Sequence, residues 1–374
     1  MTTPVCNFLY GLLNNLSMKE FPIKVLLVED SPVALEILKR LLASSPEVTV
    51  VGTARNGQEA LELMPVVQPA VICTDLHMKG MDGLEFTKQV MGNDPKPILV
   101  ISTSVQKEDT HTIFQLLQAG AVDVFPKPNA GLASDYERVK RELVNKVKIL
   151  AGVKVFTRRQ QLATTTETAK SSQLAAAGRV IDVTTPIRVV TIGASTGGPQ
   201  ALHKILAQLP SNFPVPVICT QHISEGFLQG LVDWLGVECK LKVKIAQVGE
   251  IPLPGTVYFA PERSHLELNV QGKFAYSTSS TPVDGHCPSV TVTFKSVANF
   301  YHHATAGILL TGMGRDGAAG MSAIASAGGM TIAQDEKSCI VFGMPKEAIA
   351  LGAVKQVLPV QDIAAFLLTK IFAK

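Results

Sequence analysis

The sequence has little that would tie it to a membrane, a disulfide framework or a nucleic acid. Six cysteines are scattered over 374 residues with no C-x-x-C pair, which argues against a zinc site or a disulfide frame. No apolar run approaches the roughly 20 residues that a membrane span needs. The net charge is only +3, and no basic patch is interleaved with aromatic residues. We therefore expect a soluble, cytoplasmic protein with no nucleic-acid partner.

The chain is long enough for two buried cores, and 46% of its residues are hydrophobic. The first 17 residues contain an apolar patch but lack the basic n-region of a signal peptide, and we interpret residues 1–21 as an N-terminal extension. Met18 is a candidate alternative start, because the organised pattern begins just after it.

Strand-like and helix-like segments alternate in both halves of the chain. In the first half, short apolar runs predict parallel strands, and helical spacing predicts the helices between them. The strands are Ile23–Val28, Val48–Ala54, Ala70–Thr74, Ile98–Ser102 and Ala121–Phe125, and the helices include Pro32–Ala43, Gly57–Met64 and roughly Ser134–Leu150. We predict an α/β protein with two doubly wound parallel-sheet domains, at 22–150 and 186–374. The Thr-, Ser-, Ala- and Gln-rich stretch 156–179 predicts a linker, placed at 151–185.

Polar side chains stand at four strand ends of the first half. Glu29 and Asp30 follow the first strand and Asp75 the third, while Ser102 ends the fourth and Lys127 follows the fifth between two prolines. Carboxyl ends of adjacent parallel strands converge, and three converging carboxylates favour a hard cation such as Mg²⁺. The alternative is that the acids are helix N-caps, which suits Asp30 but explains neither Asp75 nor Lys127.

These residues lie in VEDS (28–31), TDLHMKGMDG (74–83), IST (101–103) and FPKP (125–128), which resemble the response-regulator receiver family. The resemblance implies a flavodoxin-like fold, phosphorylation of Asp75 by a histidine kinase, and Mg²⁺ held by Glu29, Asp30 and Asp75. It also implies that Ser102 is the switch hydroxyl and Lys127 the phosphate-sensing lysine. Lys79 stands where the family often has proline, and Val124 where many receivers carry an aromatic switch residue.

The stretch VVTIGASTGGPQAL (189–202) contains G-x-S-x-G between a strand and a helix, which is the context of an exposed nucleophilic serine. Ser195 needs a base, and His222 is best placed because it ends the next apolar strand; His265 and His286 are weaker candidates. Asp316, in a glycine-rich turn after a later strand, is the candidate orienting acid. The backbone N–H groups of Thr196 and Met313 are candidate oxyanion donors. The order Ser, His, Asp differs from the Ser, Asp, His of ordinary α/β-hydrolases.

The second half resembles the chemotaxis protein-glutamate methylesterase (CheB) family in GASTGGPQAL, QHISEGFLQGLVDWL, PGTVYFAP and LLTGMGRDGAAG. The resemblance implies a Rossmann-like catalytic domain with Ser195, His222 and Asp316 as the triad, Thr196 and Met313 as oxyanion donors, and no esterase cofactor. It implies hydrolysis of glutamyl methyl esters on membrane-bound chemoreceptors, with deamidation of glutamine as a related activity. Thr291 stands where the family commonly has aspartate.

Two other classes of function remain open from the residues alone. One is a phosphorylation-controlled binding module with an inert esterase half, which the intact trio of Ser195, His222 and Asp316 argues against. The other is a nucleotide-binding loop after residues 187–195, which lacks both G-x-G-x-x-G and a Walker lysine.

Overall fold

A computed structural model describes residues 22–102, 107–128, 133–155, 186–277 and 281–372. Two parallel sheets, of five and seven strands, dominate it, and helices connect most of their strands. The predicted fold class is therefore confirmed. The proposed extension 1–21 and residues 156–185 of the proposed linker lie outside the described residues.

The first sheet has the order β2-β1-β3-β4-β5, with all four pairings parallel. Its strands are β1 (Ile23–Val28), β2 (Val48–Ala54), β3 (Val71–Asp75), β4 (Ile98–Ser102) and β5 (Asp123–Pro126), and its helices are α1 (Pro32–Ala43), α2 (Gly57–Val67), α3 (Gly83–Asn93), α4 (Lys107–Ala119) and α5 (Ala133–Ala151). Strands β3 and β4 are buried along their whole length, which is why they appear in the sequence as continuous apolar runs. The helix predicted to end at Met64 continues through Pro65 to Val67.

The second sheet has the order β14-β13-β12-β6-β7-β9-β8 and is also parallel throughout. Its strands are β6 (Val189–Ala194), β7 (Val217–Gln221), β8 (Lys242–Ile245), β9 (Thr256–Phe259), β12 (Thr305–Leu309), β13 (Met330–Gln334) and β14 (Gln356–Leu358). The helices are α6 (Gly198–Leu206), α7 (Leu228–Glu238), α8 (Val290–Tyr301), α9 (Ala318–Ser326), α10 (Met344–Ala350) and α11 (Val360–Ile371). Two further short strands, β10 (Leu266–Leu268) and β11 (Phe274–Tyr276), form an antiparallel pair apart from this sheet.

Strand β6 lies at the point where this sheet reverses its order. The chain proceeds from β6 to β7 on one side and returns to β12 on the other. The carboxyl ends of these three neighbouring strands therefore face one crevice, which is where doubly wound sheets bind ligands. In the five-stranded sheet the same reversal lies between β1 and β3.

The two halves are in direct contact. The ring of Phe114 in α4 stacks on that of Trp234 in α7, with centroids 4.9 Å apart and planes 8° from parallel. The Gln200 side-chain amide in α6 also donates across the two halves, to the carbonyl oxygen of Ala121, at 2.8 Å. Among the described residues, no helix is both long and apolar enough to cross a membrane.

Candidate active site

The loop after β6 holds Ser195 at the start of a tight turn. The Gly198 N–H donates to the Ser195 carbonyl oxygen at 2.7 Å, and Gly197 has φ 77°, in the left-handed region that favours glycine. Gly312 packs directly against the serine: a Cβ added to Gly312 would lie 2.6 Å from Ser195 Cβ. Glycine at these positions therefore lets the loops after β6 and β12 approach closely at Ser195.

His222 follows β7, and its backbone N–H donates to the Ala194 carbonyl at 2.9 Å, beside Ser195. Its ring nitrogen Nε2 lies 2.9 Å from Asp316 Oδ2. The other ring nitrogen, Nδ1, is buried and has no hydrogen-bond partner among the described residues. With Nε2–H donating to the carboxylate, Nδ1 carries the lone pair, and this tautomer can accept a proton at Nδ1.

Asp316 is completely buried and anchored at the N-terminus of α8. Besides His222, its carboxylate accepts hydrogen bonds from four donors: Ser289 Oγ (2.8 Å) and the backbone N–H groups of Val290 (2.8 Å), Thr291 (2.9 Å) and Gly317 (2.8 Å). Burial alone would raise the pKa of Asp316, but the hydrogen bonds and charge of His222 and the bonds from Thr291 outweigh it. The pKa is held well below its ordinary value. Asp316 is therefore an anion at neutral pH.

His286 stacks on His222, with ring centroids 3.7 Å apart and planes 3° from parallel. Burial, and then the neighbouring His222, lower the pKa of His286 to about 4, so its ring is neutral at pH 7. A metal ion binds in the plane of each imidazole ring that it contacts. Because the rings of His222 and His286 are parallel and stacked, their planes do not converge on one metal ion. His265, the other alternative base, is a buried structural residue: its Nε2 lies 3.0 Å from the Thr281 carbonyl, and its Nδ1 accepts from the Ser289 N–H at 3.0 Å.

The predicted oxyanion donors lie in the two loops that meet at Ser195. Among the described residues, neither the Thr196 N–H nor the Met313 N–H donates to a protein acceptor. Met313 is 52% exposed. Two free N–H groups beside a serine are what stabilisation of a developing oxyanion requires.

The three predicted Mg²⁺ ligands of the first half also lie close to one another. One oxygen each of Glu29, Asp30 and Asp75 falls within 4.8 Å of the others, and the donors are carboxylates only, which suits Mg²⁺. Lys127 Nζ lies 2.8 Å from Asp75 Oδ2 and 2.9 Å from Glu29 Oε2. Burial would lower the pKa of Lys127, but its bonds to these two carboxylates raise it. Burial and the charge of Asp75 raise the pKa of Glu29 against the pull of Lys127.

Ser102, the predicted switch hydroxyl, is buried at the end of β4. Its carbonyl accepts from the Lys127 N–H at 2.7 Å, so the last residues of β4 and β5 are tied together beside Asp75.

One carboxylate of the first half reaches the second. Asp123 Oδ2 accepts from Thr196 Oγ1 at 3.2 Å, and Lys146 Nζ lies 2.6 Å from the same oxygen. The residue after Ser195 is therefore in contact with β5, the strand that leads to Lys127.

Sequence reasoning missed several residues that shape this site. Gln221 lies in the QHISEGFLQGLVDWL stretch but has no predicted role there, Ser289 is not among the predicted site residues, and His286 is only a weaker candidate for the base. The signal for Ser289 was its position before the apolar periodic run of α8, which marks a helix N-cap. The stacking of His286 on His222 had no sequence signal, because 64 residues separate them and the cross-over order of the strands brings them together.

Two family models match separate parts of the chain. Residues 25–133 match the response regulator receiver domain, and residues 190–367 match the CheB methylesterase domain. The protein-glutamate methylesterase/protein-glutamine glutaminase of Nitrosospira multiformis is 41% identical over 92% of this chain and 96% of its own length. Protein-glutamate methylesterase/protein-glutamine glutaminase 1 of Syntrophus aciditrophicus is 40% identical over 92% and 97%. A solved CheB methylesterase catalytic domain from Thermotoga maritima is 40% identical, covers 49% of this chain and 98% of that one, and has a TM-score of 0.47.

The two matched domains define the class: a response regulator whose output domain is an esterase. Within that class, the chain belongs to the protein-glutamate methylesterase/protein-glutamine glutaminase (CheB) family, as the resemblance implied.

Proposed function

We propose that the protein hydrolyses glutamyl methyl esters on chemoreceptors, and deamidates glutamines there, under the control of phosphorylation at Asp75. The observation that carries the proposal is the pair formed by His222 and Asp316 beside the Ser195 turn, with a 2.9 Å contact between ring and carboxylate. The four other donors to Asp316 serve the turn at the N-terminus of α8, whereas its contact with the His222 ring serves an esterase and has no role in an inert binding module.

In acylation, Ser195 Oγ attacks the ester carbonyl carbon while His222 Nδ1 takes the serine proton. Asp316 holds the resulting imidazolium by charge and by the hydrogen bond to Nε2–H. The negative charge that develops on the carbonyl oxygen is stabilised by the N–H groups of Thr196 and Met313. When the intermediate collapses, His222 returns the proton to the leaving methoxide, and methanol departs.

In deacylation, His222 deprotonates a water molecule that attacks the glutamyl–Ser195 ester, and Ser195 leaves with the returned proton. The product is a free glutamate carboxylate. A glutamine side chain would follow the same path, with ammonia in place of methanol.

We place the receiver domain at 22–150, the linker at 151–185 and the catalytic domain at 186–374. The two sheets and the two family matches support these bounds. In the receiver, Asp75 would accept a phosphoryl group from a histidine kinase of the chemotaxis type. Glu29, Asp30 and Asp75 would hold Mg²⁺, which neutralises charge on the incoming group, and Lys127 and Ser102 would bind the phosphate oxygens.

Regulation follows from the contact between the halves. The bond between Asp123 and Thr196 and the stack of Phe114 on Trp234 place the receiver beside the serine loop. Phosphorylation would draw Lys127 away from Glu29 and onto the phosphate, since a phosphoryl group on Asp75 carries more negative charge than the unmodified Asp75 carboxylate does. Because Lys127 follows β5, this movement would also shift Asp123 in β5 and break its hydrogen bond to Thr196. The receiver domain would then move away from the active site.

Release of methanol from a methylated chemoreceptor tests the proposal. Wild type should release methanol faster with acetyl phosphate than without it, and Ser195→Ala should release none above background. Full activity in Ser195→Ala would overturn the triad. Equal stimulation by acetyl phosphate in wild type and Asp75→Asn would overturn the regulation.

A further inference from the structure

Gln221, the last residue of β7, bonds to both catalytic strand ends. It is 4% exposed, and its Nε2 donates to the carbonyl oxygen of Ser195 and to that of His222, each at 2.8 Å. Its Oε1 is buried without a partner among the described residues. The side chain is therefore held in the site by its amide nitrogen alone.

The carbonyl of Ser195 shares a peptide unit with the N–H of Thr196. In a trans peptide the C=O and the N–H point in opposite directions, so whatever holds the carbonyl also aims the N–H. Two donors hold this carbonyl: Gln221 Nε2 at 2.8 Å and the Gly198 N–H at 2.7 Å. Two hydrogen bonds to the Ser195 carbonyl oxygen therefore fix the direction of the Thr196 N–H, the first candidate oxyanion donor.

The second candidate donor is supported in the same way. The Met313 N–H shares a peptide unit with the Gly312 carbonyl, which accepts from the N–H groups of Gly343 at 3.0 Å and Met344 at 2.9 Å. Each candidate donor therefore belongs to a peptide whose carbonyl is bound twice. Three of the four supporting donors are backbone groups, and Gln221 is the exception that substitution can remove.

We propose that Gln221 is a positioning residue for the oxyanion hole: its amide fixes the Ser195–Thr196 peptide and polarises the Thr196 N–H. The inference rests on the proposed esterase mechanism and deepens it. Hydrogen bonds to a carbonyl strengthen the N–H at the other end of the same peptide as a donor. The benefit appears in the transition state, when charge has developed on the substrate oxygen, rather than in substrate binding.

Gly198 offers a second way to test the role. A Cβ at this position would lie 2.0 Å from Gln221 Oε1, and the backbone of Gly198 has no positive φ. Alanine there is compatible with the backbone but displaces the glutamine side chain. Gly198→Ala should therefore reproduce the loss caused by Gln221→Leu.

The experiment measures kcat and KM for the full chain with methylated receptor and, separately, with p-nitrophenyl acetate. Gln221→Leu keeps the bulk and removes the donor. Since loss of a whole oxyanion donor costs about 10²–10³ in kcat, loss of its support should cost about tenfold, with KM changed by less than about twofold. Binding of a trifluoromethyl ketone analogue, which forms a tetrahedral oxyanion on Ser195, should weaken by the same factor.

Thr220→Val is the matched control. Thr220 is the preceding residue of β7, is equally buried, and bonds through Oγ1 to Thr293 Oγ1 at 3.1 Å, away from the Ser195 peptide. It should lose stability without losing kcat.

A selective loss of kcat and of ketone binding in Gln221→Leu supports the positioning role of Gln221. If Gln221→Leu does not fold, the same measurements on Gly198→Ala decide the question. Wild-type kcat in whichever variant folds overturns it, as does an equal loss in Thr220→Val. Wild type that hydrolyses p-nitrophenyl acetate but not the methylated receptor would overturn the proposed substrate while the acetate assay still tests Gln221.

Discussion

Asp316→Asn changes the carboxylate whose two oxygens accept five hydrogen bonds at the centre of the site. Asp316 Oδ1 accepts from Ser289, Thr291 and Gly317, and Oδ2 accepts from Val290 and His222. An amide has one acceptor oxygen, which keeps three bonds if it takes the place of Oδ1. Its NH₂ then faces the Val290 N–H, which is left without an acceptor.

The magnitude follows from these contacts. An orphaned buried N–H costs about 1–3 kcal/mol, and the three remaining bonds each lose part of the extra strength that a charged acceptor gives. We expect the catalytic domain to lose about 3–5 kcal/mol of unfolding free energy.

The effect on catalysis has a separate cause. The new NH₂ donates to His222 Nε2, which moves the ring proton to Nδ1, the nitrogen that has to accept the proton of Ser195. A histidine in the wrong tautomer is a poor base, and kcat should fall by about 10⁴-fold.

Methanol release gives the rate, and urea unfolding followed by tryptophan fluorescence gives the stability, because the single tryptophan, Trp234, lies in the catalytic half. Asp284→Asn is the control. It makes the same charge change nearby, and among the described residues the Asp284 carboxylate forms an ion pair with Arg315, whose side chain is 75% exposed, so the loss should be below about 1 kcal/mol. A kcat for Asp316→Asn within about tenfold of wild type would refute the tautomer argument, which predicts a loss of about 10⁴-fold. An unchanged midpoint would refute the account of the buried carboxylate.

Three further results are expected. The pKa of His286 is lowered from 6.5 to about 4 in the folded protein, so between these pH values the unfolded chain binds a proton that the folded chain does not, and folding becomes less favourable as the pH falls. Between pH 7 and pH 5, the unfolding free energy of wild type should therefore fall by about 2 kcal/mol more than that of His286→Gln, as measured by urea unfolding. Phe114→Ala removes the stack on Trp234, which is worth about 0.5–1.5 kcal/mol, and should raise the rate of methanol release without phosphodonor by a few fold. An unchanged rate would argue against inhibition of the active site by the receiver domain. Acetyl phosphate should change the tryptophan fluorescence of wild type but not of Asp75→Asn, and identical spectra in wild type with and without it would contradict separation of the halves at this stack.

The parts of the site that lie at strand ends were predictable from the sequence. Ser195, His222 and Asp75 each follow an apolar run, and parallel strands deliver such positions to one edge. Short buried strands such as Ile23–Val28 and Ile98–Ser102 were located to the residue, because their apolar runs end abruptly in polar residues.

The sequence could not predict which strands become neighbours in the sheet, and so which strand-end residues meet. The order β12-β6-β7 brings Asp316 to His222 across 94 residues, and no local pattern encodes which strands become neighbours. The role of Gln221 could not be predicted for a related reason. Its role depends on the direction of one peptide plane, and a glutamine at a strand end has the same appearance whether it faces solvent or two carbonyls.

Labelling by a fluorophosphonate probe tests the central claim most directly, because the probe reacts only with an activated and accessible serine. We predict slow labelling of unphosphorylated wild type, faster labelling after acetyl phosphate, no acceleration in Asp75→Asn, and no labelling of Ser195→Ala. Labelling that persists in Ser195→Ala, or that is equally fast in wild type with and without acetyl phosphate, would contradict an esterase gated by its receiver.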